Sequence, residues 1–115
     1  MKLITAVIKP IRVESVSKEL ERAGFTGLSV IEMQGRGAQA GRTEYYRGQA
    51  FAVEFRTKMC IELLVDDEEV DKAIDVIVAN ARTGDDGEIG DGKVWVTPVE
   101  RIVRVRTGEL NEAAI

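Results

Sequence analysis

KMCIELLVDDEEVDKAIDVIVANA, residues 58–81, decides the fold of this chain. Residues 58–65 are a short apolar run that reads as a strand. Asp66, with Glu69 three places on, resembles a capping box in which Asp replaces the usual Ser or Thr. Val70, Ala73, Ile74, Ile77, Val78 and Ala81 then recur at the spacing of one helical face. A strand leading through a cap into an amphipathic helix is the first part of a strand–helix–strand unit.

The same unit opens the chain. Residues 3–9 are an apolar run closed by Pro10, a strand with a sharp exit. Val13, Val16, Leu20 and Ala23 follow at helical spacing, with Glu14, Lys18, Glu19, Glu21 and Arg22 on the wet side, and Gly24 ends that helix. Residues 28–33 form the next strand, which runs into Gly35. Beyond the second helix come a glycine-rich loop, a strand at 94–96, Pro98 and a final strand at 102–106. The doubled unit predicts an α+β, ferredoxin-like double βαβ fold, with an antiparallel sheet and both helices on one face. Every strand is aliphatic on both sides, so the open face of the sheet needs a cover, and a closed oligomer supplies it most simply.

Residues 36–57 show no period of either kind. They carry Gly37, Gly41 and Gly48 among Arg36, Arg42, Glu44, Arg47, Glu54 and Arg56. A loop of this length is uncommon in a small domain and is usually functional or mobile; the plainer alternative is an extended hairpin. The tail from Thr107 onward is polar and small, and reads as weakly ordered.

Composition narrows the function. At 115 residues the chain is one domain, with one Trp, two Tyr and three Phe, so its core must be aliphatic. A net charge of −4 argues against nucleic acid or an anionic membrane as the main partner. The single cysteine, Cys60, excludes an internal disulfide and suits a reducing cytoplasm. No apolar stretch is long enough to span a membrane, and the N-terminus reads as a strand instead of a signal peptide. Histidine is absent, which removes Ser-His-Asp and Cys-His catalysis, histidine acid–base chemistry and the usual zinc sites.

Residues 83–106 carry the binding chemistry. Thr83 leads into a loop with Gly84, Gly87, Gly90 and Gly92, then Lys93, a short strand, and the alternating cations Arg104 and Arg106. Glycines that let backbone N–H groups close on a ligand, followed by cations with no acid expected nearby, suggest phosphate binding. The spacing does not fit a Walker A loop, since Val94 rather than Ser or Thr follows Lys93. Several glycines can also simply make a long turn.

MKLITAVIKP at the start, Gly35-x-Gly37-x-Gln39-x-Gly41, TEYYRG at 43–48, ARTG at 81–84, IGDGKVWV at 89–96 and RIVRVRTGE at 101–109 together resemble the PII signal-transduction family (GlnB/GlnK type) in order and spacing. The resemblance covers nearly the whole chain. It implies a homotrimer of ferredoxin-like subunits, a protruding T-loop at about 36–57, a B-loop at about 82–93 and a C-terminal tail at 107–115. It also implies ATP or ADP bound competitively between subunits, 2-oxoglutarate bound with ATP and Mg2+, and a T-loop that docks on a target, most commonly an Amt-type ammonium transporter. Such a protein is cytoplasmic, is not an enzyme, and meets the membrane only through a transporter.

Carried onto this chain, the nucleotide site comprises Ser29, Glu62 and Leu64 around adenine and ribose, Gly35, Gly37 and Gln39, and Gly90, Gly92, Lys93, Arg104 and Arg106 around the phosphates. Arg104 and Arg106 would share one face of their strand, with Val103 and Val105 turned to the core. Gln39 matches the residue that binds Mg2+ and 2-oxoglutarate, and Lys58 the lysine that pairs with a 2-oxoglutarate carboxylate. Arg47, at the T-loop tip, matches the arginine that plugs the transporter exit, and Tyr46 beside it is a docking candidate.

Four departures qualify the resemblance. Phe51 stands where many members carry a tyrosine that accepts a nucleotidyl group, and a phenyl ring has no hydroxyl for it. Gln49 replaces a serine that some members phosphorylate. The B-loop reads Gly84-Asp85-Asp86-Gly87-Glu88, three residues longer than the family pattern, with three carboxylates where a cation is usual. Gly84 and Gly87 permit a local loop-out, so these carboxylates are expected to bulge into solvent; the alternative is altered nucleotide binding. Cys60, where the family often has a polar residue, needs only a packing role. The other functions considered are a PII-like sensor of another metabolite such as bicarbonate, and a phosphoryl-handling enzyme on the same fold.

Overall fold

The computed structural model describes residues 1–36, 42–46, 49–53 and 55–115, the side chains of 42–46 and 49–53 excepted. In chain order the elements are β1 (Lys2–Ile8), α1 (Val13–Arg22), β2 (Ser29–Gly35), β3 (Arg42–Tyr46), β4 (Gln49–Val53), β5 (Arg56–Val65), α2 (Val70–Ala81) and β6 (Gly92–Pro98). Short 3-10 turns stand at Pro10–Arg12, Asp67–Glu69 and Asn111–Ala114. β2, β5, β1 and β6 form one antiparallel sheet in that order, the predicted ferredoxin-like arrangement. β3 and β4 pair separately, from Arg42↔Val53 to Tyr46↔Gln49, so the aperiodic stretch contains a hairpin.

The alternation of side chains along each strand divides the sheet into two faces. Ile4, Ala6 and Ile8 of β1 join Ile61, Leu63 and Val65 of β5 on the helix side, where Val16 and Leu20 of α1 and Ala73, Ile77 and Ala81 of α2 complete the core. Each of the larger buried side chains contributes about 1.5–3 kcal/mol by leaving water. α1 ends in a Schellman motif: the Gly24 N–H donates to Glu21 O at 3.0 Å and the Phe25 N–H to Leu20 O at 2.9 Å. Gly24 takes φ +99°, a conformation open to glycine, and this is why the helix stops there.

The opposite face carries Ser29, Ile31 and Met33 of β2, Lys58, Cys60, Glu62 and Leu64 of β5, Leu3, Thr5 and Val7 of β1, and Lys93, Trp95 and Thr97 of β6. Ile31 is 50% exposed and Trp95 45%, so apolar surface lies uncovered here, as the strand composition predicts. Cys60 is buried within this face, and burial, with Glu62 beside it, pushes its thiol pKa up. It packs.

Three expectations fail. Residues 102–106 are not a strand. Val103 meets Leu110 in a single antiparallel bridge, and the Gly108 N–H donates to Arg104 O at 2.8 Å. The backbone partners are thus taken up within a local turn, leaving Val103 52% and Val105 99% exposed, not in the core. The capping box is not formed either. Asp66 precedes a 3-10 turn in which its own carbonyl takes the Glu69 N–H at 3.0 Å, and its carboxylate makes no cap bond. Finally, the tail does not trail away: the Asn111 N–H donates to Ile102 O at 2.8 Å, and a 3-10 turn follows.

Candidate functional site

The glycine-rich loop between α2 and β6 is held by one carboxylate. Asp91 Oδ2 accepts from the Thr83 N–H at 3.0 Å and the Glu88 N–H at 2.9 Å, and Asp91 Oδ1 accepts from Thr83 Oγ1 at 2.7 Å. These donors, those of Thr83 first, hold the Asp91 carboxyl well below the usual carboxylate range. Lys9, just past the end of β1, donates to Thr83 Oγ1 at 3.0 Å, pairs with Asp91 Oδ1 at 3.2 Å and pairs closely with Glu88. Its pKa is raised, with Glu88 the leading cause.

The loop joins the sheet through Gly92, which pairs with Ile8. A Cβ at Gly92 would stand 1.8 Å from Val7 O, and its φ is +110°. Only glycine fits at this junction. Two residues earlier, Gly90 O accepts from Lys58 Nζ at 2.5 Å. Burial, then the charges of Lys9 and Arg56, lowers the Lys58 pKa. Lys58, Gly90 and Gly92 therefore come together, with Lys93 exposed on the following strand. Of the three extra carboxylates, Asp85 and Asp86 are exposed, as the bulge reading has it, while Glu88 turns back onto Lys9.

A second grouping lies at the other end of the same face. The Ser29↔Glu62 pair of β2 and β5, with Leu64 two residues on, lines a cleft of about 710 Å³ together with residues 24–28 and the tail residues Ala114 and Ile115. A hydroxyl, a carboxylate and aliphatic walls suit a flat heterocycle carrying a sugar. Lys58 and Glu62 are four residues apart on β5, about 13 Å along the strand. The cleft's lining includes neither Lys58 nor any loop residue. One chain thus carries both groups, at separate ends.

Arg104 is paired, against the expectation for the two cations. Its Nη1 meets Glu109 Oε1 at 2.7 Å and its Nη2 donates to Ile115 O at 3.3 Å. The Thr107 hydroxyl, then Arg104, holds the Glu109 carboxyl below its ordinary value. Arg106 is exposed, with no ion pair among the described residues. Gly35 ends β2 opposite Arg56, beside Lys58. Gly37, Gln39 and Arg47 lie outside the described residues, as does the Tyr46 side chain.

The sequence reading missed Lys9 and Asp91 as a pair. An Asp among glycines reads as a turn residue, and a Lys before Pro10 reads as a strand end. Nothing local signals that residues 82 positions apart meet at the Thr83 hydroxyl. Among the described residues no cluster of His, Cys, Asp or Glu suits a metal, and no helix is long and apolar enough to cross a membrane.

A family model described as Nitrogen regulatory protein P-II matches residues 1–109. Curated relatives named Nitrogen regulatory protein P-II align over all 115 residues and the whole of each relative: 47% identical in Nostoc punctiforme, 48% in Pasteurella multocida and 48% in Rhodobacter capsulatus.

Proposed function

The chain belongs to the nitrogen regulatory protein P-II family, and on that premise we propose that it is a cytoplasmic homotrimeric sensor of ATP, ADP and 2-oxoglutarate that acts through its T-loop on a transporter or enzyme of nitrogen metabolism. It is a regulatory protein, not an enzyme.

The observation that carries the reading is the division of the site within one chain. The Ser29, Glu62 and Leu64 cleft and the braced glycine loop with Lys58 lie at separate ends of one open face. A nucleotide held between two protomers takes its base pocket from one and its phosphate loop from the other. The exposed Ile31 and Trp95 on that face favour such an assembly, since burying them stabilises it.

In this mechanism the loop N–H groups, Lys93, Arg104 and Arg106 bind the phosphates. Arg104 exchanges Glu109 for the ligand. Lys58 exchanges the Gly90 carbonyl for a carboxylate of 2-oxoglutarate. A carboxamide oxygen and phosphate oxygens suit Mg2+, which Gln39 would hold with ATP. 2-Oxoglutarate then shifts the T-loop by its differential affinity for the two loop states, and by no more. Arg47 and Tyr46 make the docking contact, most simply with an Amt-type ammonium transporter. Titration calorimetry with ATP and ADP, each with and without 2-oxoglutarate and Mg2+, tests the sensor. Binding of 2-oxoglutarate only alongside Mg2+ and ATP is the expected result, and no nucleotide binding overturns it. Co-purification with an Amt transporter that is lost on adding ATP and 2-oxoglutarate tests the output.

A further inference from the structure

Lys9 is held by two carboxylates with different duties. Asp91 accepts three hydrogen bonds from within the loop and is its brace, so it cannot leave without loosening the turn. Glu88 has Lys9 as its side-chain partner, and its carboxylate is more than half exposed. It can swing away at little cost to the loop. Lys9 and Lys58 stand one step beyond the Ile8↔Met59 pair, where the strand register sets them side by side, and the charge of Lys9 lowers the Lys58 pKa. Both also line a cleft of about 520 Å³ with Arg56, Gln34 and Thr57. Two adjacent ammonium groups attract an anion, and Glu88 already supplies one.

We propose that Lys9, held against the loop by Thr83 and Asp91, is a further cation for the phosphates, and that Glu88 is its resident competitor and a specificity-determining residue: by occupying Lys9 it weakens nucleotide binding at this loop, and more so for ligands of higher charge. The inference rests on the nucleotide reading above. Its ligand class is the adenine nucleotides, with ATP disfavoured relative to ADP. Asp85 and Asp86, turned to solvent, are comparatively screened and do not share this role.

The test is titration calorimetry of ATP and ADP on the full chain and on Glu88→Gln, with Asp85→Asn as the control. Glu88→Gln should bind ADP about threefold and ATP about fivefold more tightly, the scale of one partly exposed ion pair. The gain should shrink in high salt, and Asp85→Asn should change neither affinity by more than about twofold. A loop merely loosened by the substitution would bind both nucleotides more weakly, and that outcome overturns the proposal. So does equal affinity of the wild-type protein and Glu88→Gln, which leaves the sensor reading intact. If neither protein binds a nucleotide, the sensor reading fails and this inference with it.

Discussion

Replacing Gly92 with alanine tests how the glycine-rich loop is fixed to the sheet. The added Cβ would stand 1.8 Å from Val7 O, 2.9 Å from Val7 C and 3.1 Å from Ile8 Cα. All three are main-chain atoms of β1, so no side-chain rotamer relieves the collision. Gly24 is the matched control, since it has φ +99° but nothing within 4 Å of its Cβ position. Both substitutions carry a torsional cost of about 1–2 kcal/mol. Gly92→Ala must also separate the end of β6 from β1, giving up ladder hydrogen bonds of about 1 kcal/mol each. The sum is about 3–4 kcal/mol for Gly92→Ala. For a chain of this length that lowers the melting temperature by about 12–16 °C, against about 4–8 °C for Gly24→Ala. Circular dichroism melts at one protomer concentration measure it, because the proposed assembly would make melting concentration-dependent. Gly92→Ala should also weaken ADP binding. Equal melting shifts in the two variants would refute the steric argument.

Arg106→Ala should weaken ATP and ADP alike, by about tenfold for one lost charge-assisted hydrogen bond, and leave the trimer intact by size-exclusion chromatography; unchanged affinity in calorimetry removes Arg106 from the site. Gln39→Ala should abolish 2-oxoglutarate binding in the presence of Mg2+ and ATP while ATP itself still binds, and a variant that holds the acid as tightly as before disproves that assignment. Asp91 gives a pH dependence. Its folded carboxyl lies well below the ordinary 3.8, so the unfolded chain takes up the proton first as pH falls. Its stabilisation is therefore complete above the unfolded value and is lost as pH drops toward the folded one. Urea midpoints of the wild-type protein and Asp91→Asn should differ most at neutral pH and converge below about pH 4, and a gap that does not vary with pH contradicts the brace.

Periodicity made the core elements readable. The stripe at 70–81 and the apolar runs at 3–9 and 58–65 appear as α2, β1 and β5, because one buried face leaves a pattern in sequence. The final strand failed for an instructive reason. Val103, Arg104, Val105 and Arg106 alternate as a strand would, yet the nearby Gly108 and Glu109 satisfy the backbone locally before another strand can. The Asp66 and Glu69 pattern was sound in residue type, but the 3-10 turn had already used the amide it needed. In the site, Ser29 and Glu62 came from the family resemblance; what joins them is the register of β2 with β5, which no short motif encodes. Lys9 and Asp91 likewise depend on a long-range register, that of β1 with β6, and Glu88 turns back onto Lys9.

Trp95, the only tryptophan, stands opposite Thr5, which stands opposite Glu62, itself opposite Ser29. The molecule therefore carries its own optical reporter on the row that ends in Ser29 and Glu62 of the proposed base pocket. Its emission can follow protomers coming together on dilution or concentration without any attached dye. A phenylalanine at this position would silence that signal and leave the rest of the chain spectrally blank apart from its two tyrosines.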